Sequence, residues 1–239
     1  DVLGVDIYDK GVKSWLAKYH LPNNPLFVPE IRLEDKDAMY ALYAFGHHGA
    51  MGFCPFSIED YPLTTVSNAN DWKPLDLSQD DQLNAFSAVG TLRSPLVAAY
   101  QLLRQAEPLI LERQGTKDMD AVLLDNEQRE AEIVTADGFR FTIRHSYSLG
   151  WEPGAKGAEW PETACIILRL GKEDYLVIGS GVVVTFQQRI GLAKCEEVEI
   201  VDGKQRIIRH LNGDQTHQGR HVRIPVGAFQ IQHFKLYRY

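Results

Sequence analysis

The feature that most constrains this fold is a change of rhythm near residue 115. Before it, short apolar runs alternate with helical segments. Strands are expected at Val2–Tyr8, Pro25–Pro29 and Ala50–Phe56, with helices at Gly11–His20 and Glu34–His48 between them. In the first helix Trp15, Leu16 and Tyr19 stand on one side. In the second, Ala38, Leu42 and Phe45 share a face, and acidic residues occupy the first turn, where the helix dipole favours them. The strands are apolar without alternation, which is the mark of strands buried on both faces. A β-α-β-α-β order of this kind implies parallel strands covered by helices. Three strands do not distinguish an open sheet from a closed barrel. Further on, Ser78 reads as an N-cap with Asp81 three residues later, and Leu83, Phe86 and Val89 continue that helix. Pro95 is expected to break or kink it before it resumes over Leu96–Ala106, and Glu107–Lys117, with Pro108 near its start, is expected to be a connection.

Beyond residue 117 strands follow one another directly. Arg129–Ala136 and Phe139–Ser146 flank Asp137-Gly138, and Cys195–Val201 and Lys204–Leu211 flank Asp202-Gly203. Asp-Gly between β-prone runs is a strong hairpin signal, because both central residues of the favoured turn need positive φ. Ala164–Leu170, Tyr175–Gly179, Val182–Phe186, Val222–Val226 and Phe229–Tyr237 add further strands. This pattern predicts an antiparallel β-sandwich over residues 115–239, preceded by an α/β segment over residues 1–114.

Composition removes several function classes. With 44% hydrophobic and 24% charged residues in 239, the chain can bury a sizeable core. Its net charge of −7 argues against a nucleic-acid partner, since phosphate binding draws on Lys and Arg. The most basic stretch, Arg206 to Arg209, is interrupted by two isoleucines within an expected strand. No apolar run approaches the roughly 18–20 residues of a membrane helix. Cys54, Cys165 and Cys195 stand far apart with no C-x-x-C pair, which disfavours structural zinc and leaves at most one disulfide. The chain opens without Met inside an expected strand, so it is expected to be a piece of a longer protein.

Glu30 is the first candidate for chemistry. The run NPLFVPE carries apolar residues straight into a carboxylate, and active sites of parallel barrels lie at the carboxyl ends of strands. Asp6, Tyr8 and Asp9 end the first strand, and Glu59 and Asp60 follow the third, so a polar rim gathers at one end of the sheet. Tyr8, Phe53 and Phe56 stand near the same end, where aromatic walls would shape a pocket. The plain alternatives are strand-end acids meeting solvent and aromatics filling core. His47-His48 cannot chelate one ion from a single helix face, and reads as a helix end complementing the dipole. His210, Asp214, His217 and His221 lie in HLNGDQTHQGRH, whose spacing matches no strong metal motif; it reads as an ordered turn. Trp151 and Trp160 flank the Gly-rich WEPGAKGAEW, either as platforms for sugar rings or as packing against the sandwich.

GVDIY, NPLFVPE and GAMGFCPFSIED together resemble the last three barrel strands of glycoside hydrolase family 35, the retaining β-galactosidases. RFTIRHSYSLGW, GSGVVVTF, LNGDQTHQGRH and the terminal LYRY resemble the β-rich C-terminal domain of that family's bacterial branch. The resemblance implies that residues 1–114 are the C-terminal part of a TIM-type (β/α)8 barrel. It makes Glu30 the nucleophile at the end of barrel strand seven, with Tyr8, Phe53 and Phe56 as substrate-binding residues. The family's acid/base, a glutamate ending barrel strand four, has no counterpart here. The implied activity is release of terminal β-galactose by double displacement, with no cofactor or metal. The implied partners are a galactoside or oligosaccharide and the remaining N-terminal barrel segment, in a periplasmic or extracellular setting. On this view residues 1–239 alone are expected to be inactive. The competing expectation is a carbohydrate-binding or purely structural sandwich without catalytic activity.

Overall fold

The structure, a computed structural model, describes residues 2–58 and 94–239. The expected helix around Ser78–Val89, and Glu59 and Asp60, lie outside the described residues. The N-terminal segment runs β1 (Asp6–Ile7), α1 (Val12–Tyr19), β2 (Phe27–Ile31), α2 (Asp37–His48) and β3 (Gly52–Pro55). The strands are parallel and in the order β1-β2-β3. The regular strands are shorter than the apolar runs predict. β1 covers only two residues of Val2–Tyr8, and β2 is displaced so that Glu30 lies within the ladder rather than beyond it. Val12 and Leu16 of α1, the buried side of α2, and Ile7, Val28, Ile31 and Phe53 of the strands share one core. A singly wound sheet of this order places its crossover helices on one face.

α3 (Pro95–Arg113) begins with Pro95 at its first position, where a missing N–H costs nothing. It runs unbroken past Pro108, so the expected connection over Glu107–Lys117 is instead helical to Arg113. Packing decides this: Ile110 is buried in the core beyond the proline, and the Arg113 guanidinium donates to the Arg169 carbonyl at 2.8 Å.

The rest of the chain is β-rich and antiparallel. Its strands are β4 (Met119–Leu124), β5 (Glu130–Val134), β6 (Arg140–His145), β7 (Thr163–Gly171), β8 (Asp174–Ser180), β9 (Val182–Phe186), β10 (Ile190–Val201), β11 (Lys204–His210), β12 (His221–Ile224) and β13 (Gln230–Arg238). A six-stranded sheet has the order β11-β10-β13-β8-β7-β4, and a four-stranded sheet the order β12-β9-β6-β5. Both Asp-Gly hairpins form; at the second, Asp202 and Gly203 both take positive φ and Val201 pairs with Lys204.

The six-stranded sheet is covered on both faces. Ala164, Ile166, Leu168, Leu176 and Ile178 join the helices and the parallel sheet in one core. Cys165, Ile167, Tyr175, Val177 and Phe234 join the four-stranded sheet in a second. Alternate residues of one strand thus serve two cores, which is why β7 and β8 read as continuous apolar runs. Cys54, Cys165 and Cys195 are all free thiols. No helix among the described residues is long and apolar enough to cross a membrane.

Candidate functional site

Glu30 owes its direction to a bulge. Val28 pairs with Phe53 and Ile31 with Pro55, so three steps along β2 oppose two along β3. Val28 and Ile31 can therefore both face the core, where both are buried. Pro29 is exposed and Glu30 half-buried, the pair that the bulge leaves over. Strict alternation from Val28 would have turned Glu30 into the helix layer. On the uncovered face Phe27 lies against β3, and a Cβ on Gly52 would come within 2.7 Å of its ring.

The Tyr8 hydroxyl donates to Glu30 Oε1. That hydrogen bond is the main reason the phenol is held above its ordinary pKa; partial burial and the charges of Glu30 and Asp6 act the same way. Asp6 pairs in register with Glu30 across β1 and β2, and the exposed Cys54 stands between the buried Phe53 and Pro55 of β3. A carboxylate steadied by a phenol on a rigid strand can act as a nucleophile, a general base or an anchor for hydroxyl groups.

The remaining candidates divide. Tyr8 is 46% exposed and joined to Glu30, and Phe56, just past β3, is 55% exposed. Phe53 is 4% exposed and belongs to the core side of the sheet, where its carbonyl accepts from the Tyr100 hydroxyl of α3. Asp9 serves the start of α1: its carboxylate accepts from Trp15 Nε1 and the Gly11 amide, both at 2.7 Å. Those two bonds hold its carboxyl below the usual range.

The rings of His47 and His48 meet edge-on at 83°, 4.7 Å between centres, and each has its own partners. His47 meets Asp120 at 2.6 Å and stacks on Tyr43, while the buried His48 contacts His20 at 3.0 Å. Burial, reinforced by His47 and His20, pushes His48 down to about 4. HLNGDQTHQGRH forms an ordered turn. Asn212 and Gln215 make a reciprocal capping box, Thr216 Oγ1 accepts from the Gly219 amide at 3.1 Å, and His210 reaches Glu196 at 3.0 Å. Among the described residues no group of three His, Cys, Asp or Glu side chains is placed to hold a metal ion.

The two tryptophans differ in kind. Trp160 is wedged between the Arg129 guanidinium at 4.1 Å and the His145 ring at 4.8 Å, and Asn126 holds its backbone on both sides. Trp151 is 56% exposed beside His217, His221 and Arg223. Sequence reasoning singled out the indole but not Glu152 and Arg223, which fix its surroundings. The only trace they leave is the two-residue spacing of His221 and Arg223 on one face of a strand.

Among known families, the one described as "Domain of unknown function (DUF5597)" matches residues 96–223, just over half of the chain. The matched span runs from the second residue of α3 to Arg223 in β12. No curated protein matches the chain.

Proposed function

The chain belongs to the DUF5597 family, and from its strand motifs and the placement of Glu30 we propose that it is the C-terminal portion of a retaining β-galactosidase resembling glycoside hydrolase family 35. Residues 1–114 then supply the last three strands of a (β/α)8 barrel, and residues 115–239 a β-sandwich that supports it. The observation that carries the assignment is the Tyr8–Glu30 hydrogen bond on the uncovered face of a parallel sheet. The three strands have their helices on one side, as strands of a barrel do, and the bulge in β2 turns Glu30 to the other side, which in a barrel is the interior.

In this role Glu30 attacks the anomeric carbon and forms a glycosyl-enzyme, which water then hydrolyses. A second carboxyl group, roughly 5–5.5 Å away, protonates the leaving oxygen and later activates the water. The family pattern puts that group at the end of an earlier barrel strand, outside residues 1–239. Glu30 attacks through its carboxylate, and the hydrogen bond that the Tyr8 hydroxyl donates to Oε1 fixes the orientation of that group. Tyr8 and Phe56 border the sugar on this reading, and Phe53 acts from behind by fixing β3.

The test is Glu30→Gln in the complete enzyme, with a slow 2-fluoro-galactoside that traps the intermediate. Gln keeps the shape but lacks the charge needed to attack. Label on the peptide containing Glu30 in the wild type, and none in a folded variant, is the expected result. Label on another carboxylate, or a fully active variant, overturns the assignment.

A further inference from the structure

Trp151 stands on the outer surface of the sandwich, and its setting is built rather than loose. Glu152 accepts from Arg223 Nη2 at 2.8 Å through one oxygen and from the Val226 amide at 3.1 Å through the other. Tyr147 lies so close over Gly154 that a Cβ there would come within 2.3 Å of its hydroxyl oxygen. The segment bearing Trp151 is thus clamped on both sides of Glu152. His217 meets the indole edge-on at 5.8 Å between ring centres, and His221 and the Arg223 guanidinium lie 6.2 and 5.7 Å away. His221 and Arg223 alternate with the buried Val222 and Ile224 of β12, so they face away from the sandwich core.

Leaving an indole exposed forgoes a large hydrophobic gain, since aromatic residues bury 150–250 Å² each when packed. The neighbouring chain could have covered it, and instead holds the residue in place more than half exposed. The rest of this outer face carries ion pairs, Arg144 with Glu130 at 3.0 Å and Arg140 with Glu132 at 2.7 Å. A protein partner needs an apolar centre and roughly 800 Å² per side, whereas one indole among charged and imidazole groups offers neither. A pyranose ring has the matching chemistry: an apolar C–H face for the indole, and hydroxyl groups for His217 and Arg223.

We propose that Trp151, with His217 and Arg223 beside it, is a carbohydrate-binding platform on the β-sandwich. The sugar stacks its C–H face on the indole, and its hydroxyl groups accept from the guanidinium and exchange hydrogen bonds with the exposed His217 imidazole. His221, 2% exposed and pushed by burial down to about 4, is neutral and shapes the floor. The platform does not depend on Glu30 being catalytic.

The test is affinity electrophoresis of the 239-residue chain through native gels containing β-1,4-galactan, xyloglucan or hydroxyethylcellulose. At least one polysaccharide is expected to retard the wild type. Trp151→Ala is expected to weaken that binding at least tenfold, His217→Ala less, and Trp151→Phe least. Glu30→Gln should bind as the wild type does, which separates this platform from the sheet bearing Glu30. Absence of retardation by all three polymers overturns the proposal, as does equal retardation of Trp151→Ala or loss of binding in a folded Glu30→Gln. Should Trp151→Ala not fold, Trp151→Phe decides: binding kept in part supports the platform, and unchanged binding overturns it.

Discussion

At the scale of single residues, Tyr8 is the position where a small change separates chemistry from stability. Its hydroxyl serves Glu30, and its ring is half exposed. Tyr8→Phe is therefore expected to leave the melting temperature within a degree or two. On the galactosidase reading it lowers kcat of the complete enzyme roughly 10- to 100-fold, the equivalent of one hydrogen bond to a charged group. Steady-state kinetics beside a thermal melt checks both halves. Three buried groups set an opposing pattern in pH. His48 and His221 have folded values near 4 against 6.5 when free. The unfolded chain takes up those protons first, so the stability they allow above pH 6.5 is lost as pH falls to 4. Asp37 runs the other way: burial raises it from 3.8 to about 7, so the folded state holds its proton and gains stability as pH falls over the same window. Partial solvent screening keeps each effect on the order of 1–2 kcal/mol. Urea midpoints from pH 7 to 4.5 should fall less steeply for His48→Gln than for wild type, and more steeply for Asp37→Asn. Parallel curves would exclude this assignment. At this scale Glu30 was legible because an apolar run ended on a carboxylate. The side to which it points was not, since a bulge is a property of two paired strands and β2 alone does not reveal it.

Among the elements, α2 packs between the parallel sheet and the six-stranded sheet. It meets β4 and β7 at Gly46, where a Cβ would stand 2.6 Å from both Ala121 Cβ and Ile166 Cγ1. Gly46→Ala should gain about 1 kcal/mol of helix propensity, but forcing a methyl group into that contact costs about 1–3 kcal/mol. A net loss of stability is expected, read as a lower urea midpoint. A midpoint equal to or above wild type would mean that α2 can move off the sheet freely. The elements also show where local signals suffice. The β10–β11 hairpin was readable because Asp202-Gly203 supplies the two positive φ angles its turn demands. α3 past Pro108 was not, because tertiary contacts of Ile110 and Arg113 outweigh the lost backbone bond. β4 was missed for a related reason: MDAVLL has neither alternation nor a turn signal beside it, and only pairing with β7 defines it.

Over the whole molecule, the six-stranded sheet is the wall shared by two cores, and its strands differ sharply in shelter. β7 and β8 lie within the order with partners on both sides and apolar cover above and below. β11 is one of its two edge strands, exposed along its whole length, with Ile207 and Ile208 open to water and Arg206 and Arg209 paired to Glu199 and Glu197. This difference acts as a timetable for deuterium. Amide protons of β11 should exchange through local opening, early and with little sensitivity to denaturant. Those of β7 and β8 should be released only when the entire chain comes apart, at a rate that follows global stability. Because those two strands close both cores at once, neither side of the wall can melt without the other, and Gly46→Ala should shorten the wait for amides on both of its faces together.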